Sequence, residues 1–227
     1  MRSDFIRSYA NFAHSHIEKN VEFLESKDGD LLLRKMEEFS ETWAEAEKLV
    51  YDVLKDNDYN SAMYYIVDFI YAPSLFPVMF NILVSDVDGV IRTIRFLLEE
   101  LELGLILDCS NEFRNFDLME KLDEAIKLKP YDLIEKLEKI LQNNDILNKL
   151  RKFYGMLSSK WIHAPHYLDK LLQDSLSKDN ISPKALYFPP LNEREDEVNE
   201  LIEILDKFNE CVRILVKEWK EKYLNNK

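Results

Sequence analysis

The sequence predicts an all-α fold, a bundle of long antiparallel helices, and three observations carry that expectation. Apolar residues recur at steps of three and four along most of the 227 residues. Strand candidates are few, chiefly Leu103-Gly104-Leu105-Ile106-Leu107 and Ala185-Leu186-Tyr187. Only four glycines punctuate the chain: Gly29, Gly89, Gly104 and Gly155. With 46% hydrophobic and 32% charged residues, the composition is that of a soluble chain with a core. The length suits one large domain or two small ones, and a single helical domain over 1–227 is expected.

A first helix follows from the stripe Phe5, Tyr9, Phe12, His16, Val21, with Lys27-Asp28-Gly29-Asp30 as its turn. Leu32, Met36, Phe39, Trp43, Ala46, Val50 and Leu54 then mark one face of a second helix. Tyr59–Tyr71 and Pro73–Ser85 read as two shorter helices, Pro73 opening the second where its missing N–H costs little. The segment from Asp86 to Asp108 is apolar on nearly every side, which predicts a central helix. Helix is expected again over Asn115–Lys129 and from Pro130 to Leu141. Asn143-Asn144-Asp145 turns the chain into a further helix through Ile146, Leu150, Phe153 and Leu157. Residues 182–192 hold three of the seven prolines and mark a loop, a candidate subdomain break.

The C-terminal helix is the plainest of all. Val198, Leu201, Leu205, Phe208, Val212, Leu215 and Trp219 form a heptad-like seam. Eight acids and two bases lie between Glu193 and Glu210, two acids and five bases between Cys211 and Lys227. That polarity complements the helix dipole at both ends. A helix of about 30 residues spans roughly 45 Å, enough to pair with the helix around Trp43 or with a partner chain.

Several functions are excluded by type. Widely spaced glycines rule out a G-x-G-x-x-G dinucleotide loop, a G-x-x-x-x-G-K phosphate loop and a G-x-S-x-G elbow, so no cofactor is expected. A net charge of −13 makes broad nucleic-acid binding unfavourable. Cys109 and Cys211 form no C-x-x-C; one disulfide between them is the alternative to their reading as buried thiols of a reducing compartment. No apolar leader opens the sequence, and a cytoplasmic location is expected. Ala62–Val84 is long enough to span a bilayer, but Asp68, Asn81, Pro73 and Pro77 interrupt it. It reads as two buried core helices meeting at a Pro turn, with no membrane partner. Two glutamines, Gln142 and Gln173, among 32% charged residues suit a heat-adapted protein.

Three constellations have residue types that carry chemistry. His163-Ala164-Pro165-His166 with Asp169 offers two imidazoles and a carboxylate, a ligand set for zinc or a similar ion. The alternative for His163 is a satisfied histidine beside Trp161. Arg95 and Glu99 are i, i+4 on the helix built for burial. They form either an ion pair that fixes register or an anion- or partner-recognition site. The run Ile82-Leu83-Val84-Ser85-Asp86-Val87-Asp88-Gly89-Val90 resembles motif I of the haloacid-dehalogenase-like phosphatases. That resemblance implies Asp86 as nucleophile, Asp88 as acid/base, and Mg²⁺ between them. Without it, Asp86 is simply the cap of the central helix.

A second resemblance spans about seventy residues. Arg95-Phe96-Leu97-Leu98-Glu99, followed by Tyr154-Gly155-Met156-Leu157-Ser158-Ser159-Lys160-Trp161-Ile162-His163, is similar to helical proteins of the HEPN type found in microbial defence and toxin–antitoxin systems. The resemblance implies a bundle of long helices and, in active members, a metal-independent ribonuclease that often works as a dimer. Arg95, Glu99 and His163 would then form the working site. The family's R-x4-6-H signature does not occur at His163; Arg7 and His14 fit its spacing. The expected function is accordingly a non-catalytic interaction or scaffold module holding a protein partner or a second copy through a helical face. The ribonuclease and the phosphatase are the alternatives.

Overall fold

A computed structural model describes residues 2–54, 60–128, 130–159 and 189–225. Among them there is no strand, and the fold is an all-α bundle. The helices are α1 (Arg2–Leu24), α2 (Asp30–Leu54), α3 (Ala62–Ile66), α4 (Ala72–Leu83), α5 (Val87–Cys109), α6 (Leu118–Ala125), α7 (Pro130–Leu141), α8 (Asn144–Ser159) and α9 (Glu195–Asn225). A π turn at Val67–Tyr71 joins α3 to α4, and a 3-10 turn at Leu191–Glu193 leads into α9. Most of the Pro-rich loop lies outside the described residues. Where the chain resumes, Leu191 is fully buried.

The heptad-like seam of α9 is used inside the fold. All seven of its residues are buried, and the helix packs most extensively on α2 and α5. From α2 the facing residues Leu32, Met36, Phe39, Ala46, Val50 and Leu54 are buried as their spacing requires. Phe39, Tyr71 and Phe208 bring α2, the π turn and α9 together, with ring centroids 5.5–5.8 Å apart. At the rim of the α2–α9 contact Arg213 donates to Glu38 at 3.0 Å and to Glu45 at 2.9 Å, while Lys35 bridges Glu38 and Asp206.

Helix α5 is the central helix, buried from Val90 to Leu107 along most of its length. Gly104 lets α3 come close: a Cβ there would lie 2.8 Å from Ile66 Cδ1 and 3.3 Å from Met63 Cα. At the end of α5 the fully buried carboxylate of Asp108 ties four parts of the chain together. It accepts hydrogen bonds from Ser61 Oγ (2.6 Å), the Ala62 and Met63 amides (2.8 and 3.1 Å) and Trp219 Nε1 (2.9 Å). Lys121 Nζ pairs with it at 2.8 Å and donates to the Asn60 carbonyl. Each lone pair is met, as a buried charge requires.

Two expectations need correction. Residues 62–83 are not two buried helices meeting at a proline turn but one continuous helical run. The π turn just before Pro73 shifts the ladder, the Ala72 amide reaching back five residues to the Val67 carbonyl, so the following residue needs no N–H there. Nor is the run core throughout, since 28% of its apolar window is buried. Helix over Asn115–Lys129 shrinks to α6, because Asp117 and Glu120 close a capping box that starts the helix at Leu118.

Candidate functional site

Helix α4 and the turn before it have two apolar faces. Met63, Val67, Tyr71, Val78 and Ile82 point into the core. On the opposite side Phe69, Pro73, Phe76 and Phe80 step 4, 3, 4 and are exposed. Phe76 is 74% exposed, Phe69 59% and Phe80 43%. The rings are ordered against one another: Phe76 and Phe80 stack at 5.9 Å, and Phe69 stacks on Tyr65 at 5.3 Å. No charged residue occurs from Phe69 through Ser85, although the chain as a whole carries −13. A helix with one solvated face ordinarily places polar residues there. The three phenylalanines alone leave on the order of 350 Å² of ring in water, the size of the largest apolar patch on a typical monomer, which is often functional.

Arg95 and Glu99 meet, and the structure adds a third member from the same pair of motifs. Arg95 Nε donates to Glu99 Oε1 at 2.9 Å and its Nη2 to the Tyr154 hydroxyl at 2.6 Å. Tyr154 in turn donates to Glu99 Oε1 at 2.6 Å, and Arg95 Cζ lies 4.7 Å from the tyrosine ring centroid. This cycle fastens α8 to α5. Burial, and then the bond to Glu99, hold the Tyr154 hydroxyl above the ordinary tyrosine range. Phosphate could reach this guanidinium only in competition with a carboxylate already bound to it.

Beside that cycle lie two acids that sequence reasoning missed. Glu102 is buried and makes no hydrogen bond among the described residues, and burial first, then Glu99, pushes its carboxyl up to about 8. Glu100 is raised for the same two reasons in the same order. Acids in a helix built for burial were the available signal.

Asp86 caps α5, its Oδ1 accepting the Gly89 amide at 2.9 Å. Asp88 sits in the first turn. The doubly wound sheet that the phosphatase resemblance implies is absent among the described residues. The unexpected residue here is Ser85, fully buried with φ 59°, the left-handed region. Its Oγ takes Asn20 Nδ2 at 2.9 Å and lies 3.2 Å from His16 Nε2, and its carbonyl accepts Arg194 Nη1 at 2.6 Å. The strained residue thereby locks α1, the α4–α5 corner and the start of α9 to one another. Full burial denies its hydroxyl to any substrate.

His163, His166 and Asp169 lie outside the described residues. Among the described residues no group of three His, Cys, Asp or Glu is placed to hold a metal. Cys109 and Cys211 are buried thiols not joined in a disulfide. No protein-family model matches this chain, and no curated protein or solved structure gives a match.

Proposed function

We propose that this chain is a non-catalytic protein-interaction module whose docking surface is the exposed stripe of α4. One observation carries the reading: an uncharged helix apolar on both faces, with Phe69, Pro73, Phe76 and Phe80 presented outward at the spacing that packs helix against helix. The seam of α9 is occupied by the core and is not free for a partner. The polar clusters also favour a structural role, since the cycle at Arg95 closes on itself and Asp86 serves as a cap.

The test compares the tagged wild type with a Phe76→Glu/Phe80→Glu variant in the cells that make the protein. Native mass is the readout. The expected result is a wild-type assembly heavier than 27.0 kDa that the variant loses. Monomers in both cases would refute it.

A second reading, a HEPN-like metal-independent ribonuclease or its inactive relative, is supported by Arg95, Glu99 and Tyr154 lying in one hydrogen-bonded cycle. RNA cleavage in chelator that is lost with His163→Ala would favour it over the interaction module.

A further inference from the structure

Resting on the docking surface just proposed, we infer that its occupant is a second copy of this chain, packed α4 against α4 about a two-fold axis.

Charge selects this partner. Every copy carries −13, so most surfaces of one copy repel most surfaces of another. The stretch Phe69–Ser85 contributes no charge, so two copies that meet there do not set acid against acid. A two-fold contact also requires a patch complementary to itself. The stripe Phe69, Pro73, Phe76, Phe80 meets that requirement in its spacing, since steps of 4, 3, 4 match the same steps on an antiparallel helix.

Two sets of three phenylalanines remove on the order of 700 Å² from water, and the residues around them must supply the rest of the roughly 1,200 Å² at which specific interfaces begin. The half-buried Ile70, Leu75, Met79 and Leu83 flank the stripe and extend it.

Lipid is the competing occupant, because Ala62–Leu83 is long and apolar enough to cross a bilayer, with a mean hydropathy of 1.6. Its flanks argue against lipid. Asp52, Asp56 and Asp58 precede the run, Asp86 and Asp88 follow it, and within ten residues of either end the only bases are Lys55 and Arg92. Anionic headgroups attract basic flanks and repel acidic ones.

The experiment is light scattering on the purified full chain, from about 1 to about 200 µM, with and without vesicles of mixed neutral and anionic phospholipid. The expected mass rises to about 54 kDa, twice the 27.0 kDa chain. Phe76→Glu and, separately, Phe80→Glu return it to the monomer with unchanged helix content, as fits such exposed positions. A wild type that stays monomeric throughout overturns the inference, as does a dimer indifferent to both substitutions or co-flotation with the vesicles. A monomer in isolation with a larger assembly in cells overturns the second copy while sparing the docking surface. Monomers in both settings remove both.

Discussion

Replacing Glu102 by glutamine should stabilise the protein, and by an amount that grows with pH. Glu102 is 7% exposed, and its carboxyl is raised from 4.5 to about 8, by burial first and by Glu99 second. The native state therefore holds a proton that the unfolded chain releases above about pH 4.5. Stability from this group is intact below that point and is lost as pH rises toward 8. At 1.36 kcal/mol per pH unit, keeping the group protonated at pH 7 costs about 3 kcal/mol; at pH 5 the cost is under about 1 kcal/mol. Glutamine is neutral at every pH and nearly the same size, so it removes the whole dependence. Urea and thermal melts of both proteins at about pH 5, 7 and 8 isolate the term, because all other acids are common to the pair. At about 2–4 °C per kcal/mol, the variant should melt about 6–12 °C higher at pH 7 and within about 3 °C at pH 5. A gap of equal size at pH 5 and pH 8 would refute a native-state proton on Glu102.

Three further outcomes are expected. Asp108→Asn leaves Lys121 buried without its counter-charge and should cost about 3–5 kcal/mol in a denaturant titration; adding Lys121→Met should recover part of that loss. Asn209 is fully buried, and neither side-chain polar atom finds a partner among the described residues. Asn209→Leu should therefore raise stability by about 1–3 kcal/mol, and a lower melting temperature would show that the amide is satisfied after all. His16 is held below its ordinary 6.5, chiefly by burial and also by Lys19 and Arg194, against the Val84 carbonyl and Glu193, which raise it. The native state thus prefers neutral imidazole, and stability from His16 is lost as pH falls below 6.5. Protection factors of the α1 amides, which normalise for the intrinsic pH dependence of exchange, should fall at about pH 5 relative to about pH 7.5, and His16→Gln should abolish that difference.

Long, regular elements were legible because one physical rule fixed each of them. A stripe at steps of three and four has only one place to go, so α2 and the seam of α9 could be read directly, and Asp86 announced itself as the cap of α5. The run through Pro73 and Pro77 failed for a definite reason. A π turn has no compositional signature, and it removes the need for the N–H that proline lacks. The exposed stripe was hidden by the same helix: when both faces are apolar, periodicity cannot say which one meets water. Arg95 and Glu99 were readable as an i, i+4 pair, but their closure by Tyr154 depends on how α8 crosses α5. His16 stood on the expected apolar stripe of α1, while its meeting with Ser85, 69 residues away, is a tertiary fact.

The arrangement around Asp108 also bears on how the chain comes into being. Its donors come from residues 61 to 63, from Lys121 and from Trp219, so the carboxylate waits for a tryptophan added more than a hundred residues after it. Until α9 arrives, α2 and α5 hold out apolar surfaces with nothing of their own to lay on them. A nascent chain can wind its local helices early, yet it commits to the bundle only once α9 has been made. Helix α9 is therefore a keystone in time as well as in space. A ribosome that stalls before residue 219 leaves a molecule with sticky helices and an Asp108 carboxylate short of its Trp219 donor, a natural client for chaperones and proteases.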